Sequence, residues 1–414
     1  MTPEIRDRIE QIRHGNVPDG YKKTPMGIVP CEWTDTCLGD IYTERKEPGN
    51  ETLPLLMVSI RSGVSDGEVD ENDLPKKVKR IEDKSQYKRV AKGDLVFNMM
   101  RAWQGAIGTV RTEGMVSPAY IVAEPNAMVD PLFMNFYMRT NRMIHTIHRQ
   151  SYGVTDFRLR LYWDSFVPIQ CVLPSVEEQE KIAKILTTQD KVIELKETRL
   201  AEKQRQKKYL MQQLLTGKKR LPGFDDEWLH VRAHKLFKNA TDKKHDGTME
   251  VLSVTQDRGI VPRNQVDIDI KYAEESLAGY KKVAKGNFVI SLRSFQGGIE
   301  HSEYTGIVSP AYTVLSTIYP LEESYYRQFF KSPDYISRLN VAVYGIRDGK
   351  QISYEDFGRI KVPYPPLEEQ KAIAEVLSAA DREIKILTHD IEQEKQKKKA
   401  LMQLLLTGIV RVNA

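Results

Sequence analysis

A block of 41 residues, Glu177 to Gly217, recurs without insertion as Glu368 to Gly408, and this duplication constrains the fold more than any other feature of the chain. Both copies open Glu-Glu-Gln and close Leu-Met-Gln-(Gln/Leu)-Leu-Leu-Thr-Gly. Shorter echoes lie upstream of each block. Tyr87-Lys-Arg-Val-Ala-Lys-Gly93 returns as Tyr280-Lys-Lys-Val-Ala-Lys-Gly286, Gln104-Gly105 as Gln296-Gly297, Val116-Ser-Pro-Ala-Tyr120 as Val308-Ser-Pro-Ala-Tyr312, and Trp33 as Trp228. Between the echoes the halves diverge: Met57 to Glu82 and Val251 to Glu275 share little beyond alternation. A constant part repeated with a variable part implies one structural job done twice, and two related surfaces that read different things.

The constant blocks carry helix start and stop signals in the right order: prolines (Pro174; Pro365 and Pro366), then two glutamates, and at the far end Thr-Gly. Ile373, Leu377, Ala380, Ile384, Leu387 and Ile391 keep a heptad that Leu401 and Leu405 resume. The first block keeps the register at Ile182, Leu186, Ile193, Leu200, Leu210 and Leu214, with Gln189, Lys196 and Lys203 at a positions. At 1.5 Å per residue each helix reaches about 57 Å and needs a partner. Antiparallel pairing of the two copies is the expected solution, giving pseudo-twofold symmetry.

The variable segments read as strands followed by helices, hence α+β domains. Leu95 to Met99 and Phe288 to Leu292 are expected to be short buried strands. Val116 to Val122 and Val308 to Leu315 follow as strands, then Pro131 to His148 and Glu322 to Asn340 as helices. Met1 to Gly15 reads as an amphipathic helix with Thr2 as N-cap, Pro3 in the first turn, and Ile5, Ile9 and Ile12 on one face. The expected organisation is a lead-in over 1–19, variable domains over 20–175 and 218–366, constant helices over 176–217 and 367–408, and a tail over 409–414.

The 414 residues are 40% hydrophobic and 29% charged, a globular balance, and a net charge of +5 is too mild to name a polyanionic partner by itself. Cys31, Cys37 and Cys171 form no C-x-x-C pair, and no apolar run of 18 residues or signal peptide is present, so the expected setting is the cytoplasm. There is no phosphate loop and no H-E-x-x-H, and neither His230/His234 nor His145/His148 has a neighbouring carboxylate or cysteine, so no metal site is expected. Ser117-Pro-Ala-Tyr120 and its twin resemble the Pro-Pro-aromatic turn of adenine methyltransferases. The second proline is alanine, and no glycine-rich fingerprint for a methyl donor accompanies it. No catalysis is expected in this chain.

What remains is a set of residues suited to DNA. Arg101, Trp103 and Gln104 follow the first buried strand, and Arg293, Phe295 and Gln296 follow its twin; Arg and Gln can read guanine and adenine edges in a bidentate manner. Lys88, Arg89, Lys281 and Lys282 suit phosphates. Arg158 and Arg160 after Gly153 recur as Arg347 and Lys350 after Gly345.

Two variable domains, each followed by a long helix that ends Leu-Leu-Thr-Gly, resemble the specificity subunit of a type I restriction–modification system. Pro174-Ser-Val-Glu-Glu-Gln179 with Ile182-Ala183, and Pro366-Leu-Glu-Glu-Gln370 with Ile373-Ala374, carry the resemblance, which covers essentially the whole chain. It implies a non-catalytic DNA reader in which each variable domain recognises half of an asymmetric bipartite site. The helices would set the spacing and dock two methyltransferase subunits. S-adenosylmethionine, ATP and Mg would belong to those subunits and to motor-nuclease partners. A fused methyltransferase and a coiled-coil adaptor with two protein-binding domains are the alternatives.

Overall fold

The computed structural model describes residues 2–67, 83–154, 158–245, 248–256, 258–266, 274–292, 294–342 and 352–412. Two compact units divide the chain, Met1–Leu195 with Ile391–Ala414, and Lys196–Asp390. Both boundaries fall inside the long helices, Val176–Leu214 and Leu367–Leu405, so each unit holds the start of one helix and the end of the other.

In the first unit Thr34–Cys37 pairs antiparallel with Gln170–Leu173, and a four-stranded antiparallel sheet runs in the order Tyr42–Glu44, Tyr120–Pro125, Leu95–Asn98, Ile107–Thr109. The second unit repeats this topology. Leu229–Arg232 pairs with Lys361–Tyr364, and the sheet order is Phe237–Asn239, Thr313–Thr317, Phe288–Ile290, Glu300–His301. The central strand is buried on both faces, which explains its unbroken apolar run. Leu95 and Phe97 face the main core with Phe133 and Phe166, while Val96 joins Leu56, Val58, Val90 and Val116 on the other side. Phe288 and Ile290 against Val289 divide in the same way.

Two expected elements are broken by local chemistry. The strand expected over Val116 to Val122 is two, Gly114–Val116 and Tyr120–Pro125, because Ser117 turns the chain: its carbonyl accepts from Tyr120 N at 2.9 Å. Ser309 does the same for Tyr312 at 3.0 Å, leaving Gly306–Val308 and Thr313–Thr317. The helix expected over Pro131 to His148 is likewise two, Pro131–Tyr137 and Asn141–Gln150, since the Thr140 hydroxyl caps the second by accepting from Met143 N. Glu322 to Asn340 divides in parallel into Glu323–Phe330 and Pro333–Ala342. The amino-terminal helix runs Pro3–Arg13 with Thr2 at its N-cap and Pro3 at its start, and Arg8 donates to the Ile409 carbonyl at 2.9 Å.

The constant Glu-Glu-Gln motif proves to be a lock. Its first glutamate is exposed; its second is buried and accepts from a tryptophan and an arginine. In the first unit Trp33 Nε1 donates to Glu178 at 3.3 Å and Arg411 grips the same carboxylate at 2.8 and 2.9 Å. In the second, Trp228 Nε1 donates to Glu369 at 2.7 Å and Arg220 at 2.6 and 2.7 Å. The glutamine satisfies backbone groups around the helix start: Gln179 Nε2 donates to Pro174 O and its Oε1 accepts from Asp130 N, as Gln370 does with Pro365 O and Glu322 N. The Thr-Gly ends complete the lock. Gly217 and Gly408 have φ of 70° and 71°, and a Cβ at Gly408 would lie 2.4 Å from Pro30, beside Trp33.

Within each unit the helix segments pair antiparallel. Gln189 Nε2 donates to Glu394 at 2.8 Å and Lys398 meets Asp190 at 2.5 Å in the first; Lys203 meets Glu383 at 2.6 Å and Lys207 meets Asp381 at 2.5 Å in the second. The polar residues at heptad a positions therefore have assigned partners, which fixes register. Ile182, Leu186, Ile193, Leu214, Ile373, Leu377, Ile391 and Leu405 are buried, whereas Leu200, Leu210, Ile384, Leu387 and Leu401 are half-buried.

Candidate nucleic-acid interface

After strand Leu95–Asn98 the chain makes a tight turn. Asn98 Oδ1 accepts from Met100 N at 3.0 Å, Arg101 N donates to Asn98 O, and a single 3-10 turn, Ala102–Gln104, ends at Gly105 with φ 101°. Ala102 is buried and anchors the turn, leaving Met100, Arg101 and Gln104 exposed. Trp103 is half-buried instead: its Nε1 donates to Met100 O at 3.0 Å and its ring meets His148 edge-on at 5.5 Å. Expected among the readers, it supports the turn through these contacts.

A second loop lies beside the first. Tyr152 and Arg160 exchange backbone hydrogen bonds of 3.1 and 3.0 Å, and Leu161 N donates to Met99 O at 2.9 Å. Arg158 and Arg160 are exposed, so the fold brings Arg101, Gln104, Arg158 and Arg160 onto adjoining loops. Sequence reasoning missed Tyr152, 59% exposed and stacked on Tyr162 at 5.1 Å, Val154, and Met100. The recurrence of Tyr152-Gly153 as Tyr344-Gly345 was the available signal.

The second unit builds the corresponding turn as Ser294–Gly297, which carries Phe295 and an exposed Gln296, with exposed Leu292 in the place of Met100. Arg293, Arg347 and Lys350 lie outside the described residues.

The four cations expected at phosphates are engaged inside their own domains. Lys88 Nζ donates to the Tyr120 carbonyl at 2.7 Å and Lys281 Nζ to the Tyr312 carbonyl at 2.6 Å. Burial pushes both ammonium pKa values down. Arg89 bridges Glu47 and Glu113, and Lys282 lies 3.6 Å from Asp242. Because each lysine holds the Ser-Pro-Ala-Tyr turn, Lys88→Met and Lys281→Met should each cost about 1–2 kcal/mol of stability, the low end for a charged hydrogen bond at a half-buried site. Urea unfolding checks the cost. The salt dependence of DNA binding should stay unchanged, and a flatter slope would return these lysines to the phosphates.

Among the described residues no group of His, Cys, Asp and Glu is arranged to hold a metal ion, and no helix is long and apolar enough to cross a membrane. Cys31, Cys37 and Cys171 are free thiols, Cys171 being buried with its pKa pushed up to about 12 by desolvation.

The family model described as "Type I restriction modification DNA specificity domain" matches residues 227–396. A type I restriction enzyme specificity subunit, MjaX, of Methanocaldococcus jannaschii is 24% identical over 95% of this chain and 97% of its own length. Over nearly its whole length the chain is similar to type I restriction–modification specificity subunits. Solved specificity subunits share its fold. The HsdS subunit of Thermoanaerobacter tengcongensis aligns over 92% of this chain and 98% of its own at a TM-score of 0.50 and 18% identity. The S subunit from M. genitalium aligns over 90% and 96% at 0.53 and 11%. At such low identity the likeness is one of fold.

Proposed function

We propose that this chain is the DNA-reading subunit of a type I restriction–modification complex, in which each unit recognises one half of an asymmetric bipartite site. The observation that carries the reading is a corresponding turn built on an equivalent sheet in each unit, exposing Met100, Arg101 and Gln104 in one and Leu292 and Gln296 in the other. A repeated scaffold whose segments Met57 to Glu82 and Val251 to Glu275 diverge suits two half-sites of unlike sequence. The paired helices set the distance between half-sites and dock two methyltransferase subunits. S-adenosylmethionine, ATP and Mg act in those subunits and in the motor-nuclease partners, so this chain supplies recognition alone, in the cytoplasm. Its mild net charge of +5 agrees with a DNA grip shared with partners.

The test is to map N6-methyladenine in a host carrying the chain with its methyltransferase, then to repeat it with Arg101→Ala and Gln296→Ala. Each variant should weaken a different half-site by about 1–3 kcal/mol, roughly 5- to 150-fold, if the contact is bidentate to a base. Loss of the same half-site in both would rule out two readers. Equal loss on random DNA would demote these residues to backbone contacts.

A further inference from the structure

In the unit spanning 196–390 a cleft of about 730 Å³ lies between the recognition domain and the paired helices. Three carboxylates line it, and each is matched by a cation: Asp381 by Lys207 at 2.5 Å, Glu303 by Arg327 at 2.6 Å, and Glu300 by Lys331. Arg258 also lines the cleft and donates to the Gln265 carbonyl at 2.8 Å, and Arg382 and Lys385 of helix Leu367–Leu405 add two further cations. Both are exposed, they stand three residues apart on one face, and the single carboxylate a helical turn away, Asp381, is committed to Lys207 and Gln328. The wall beside them is polar, with His301 nearly buried and its Nδ1 without a hydrogen-bond partner.

The cleft also adjoins the candidate reading turn. Gln256 lines it and packs against Gly297, where a Cβ would lie 3.1 Å from the Gln256 amide nitrogen. Gly297 closes the turn that carries Gln296. Gln256, next to that turn, thus lines one cleft with Arg382 and Lys385.

We propose that this cleft is a sequence-independent phosphate site, occupied by the DNA backbone next to the half-site that the second unit reads. The proposal rests on the DNA-reading function above. It belongs to this unit alone, because the positions equivalent to Arg382 and Lys385 in the first helix are Lys191 and Glu194, which carry no surplus charge. The cleft holds the strand by charge, with no base contact, and so contributes affinity and orientation rather than sequence choice.

The experiment measures binding of the full chain with its methyltransferase partner to two labelled duplexes, one carrying the methylated site and one random, over a range of salt. Arg382→Gln/Lys385→Gln should lose roughly three- to tenfold on both duplexes, and the slope of log K against log salt should flatten by about one to two, since each neutralised phosphate contributes about 0.9. Lys191→Gln should leave affinity and slope unchanged. Unaltered binding by the double variant, or a loss confined to the specific duplex, would overturn the proposal. Absence of DNA binding by the unsubstituted complex would sink the DNA-reading function instead; calorimetric titration with tripolyphosphate then decides the cleft by itself. Tripolyphosphate binding that the double variant loses would identify a site for free phosphate compounds, and no binding to the unsubstituted chain would remove the site.

Discussion

Trp33→Ala should destabilise the first unit by about 3–5 kcal/mol, the range for truncating a buried tryptophan. Trp33 is 2% exposed and sits where three distant segments meet: Pro30 of the amino-terminal hairpin, Gly408 at the end of the last helix, and Glu178 at the start of the central one. Removing the indole leaves a cavity there and takes a donor from a buried carboxylate, so Arg411 and the segment after Gly408 lose their seat. Trp33→Phe separates the two contributions. It keeps most of the volume and should cost about 1.5–3 kcal/mol, the value of a hydrogen bond to a charged group. Urea unfolding of the two variants checks this, and equal costs would show that volume alone matters. The Trp228–Glu369–Arg220 lock of the second unit should respond in the same way.

Leu377→Ala should cost about 2–5 kcal/mol, and Ile384→Ala clearly less, although both occupy the same kind of heptad position one helical repeat apart. Leu377 is completely buried, in one core with Tyr325, Phe329 and Trp228, so its truncation leaves a void that those rings cannot close. Ile384 is half-buried on the wall of the polar cleft, and water replaces what is removed. Midpoints of urea unfolding for the two variants give the comparison. Equal losses would mean that the helix pair contributes stability evenly along its length.

The structure departs from the sequence expectations at particular residues. Lys88 and Lys281 recur in both halves and carry the charge a phosphate needs, but what repeats is the carbonyl each one holds. Trp103 recurs in kind as Phe295, yet its indole is turned onto Met100 and His148. A recurring basic or aromatic residue marks an equivalent environment, and the linear order does not say whether that environment faces inward or outward. The same holds conversely for Tyr152: its recurrence as Tyr344 marks an equivalent place, but only the fold shows that it is an exposed loop tip, 59% exposed.

The sequence by itself determined the duplication, the two long helices, the α+β class and the resemblance to specificity subunits, because these depend on periodicity, on caps and stops, and on motif spacing, all local properties of the chain. Val176–Leu214 and Leu367–Leu405 begin at the expected residues and end three residues before the expected limits, Gly217 and Gly408. The tertiary structure alone decided what the Glu-Glu-Gln motif is for, since Glu178 takes its donors from Trp33 and Arg411, 145 and 233 residues away. It also decided which heptad residues are buried, because Ile182 and Leu377 meet a recognition domain and Leu387 does not. It put Arg101 and Gln104, and Arg158 and Arg160, on adjoining loops, through the backbone bond from Leu161 to Met99. Burial and long-range hydrogen bonding depend on which parts of the chain come together, and no local pattern carries that information.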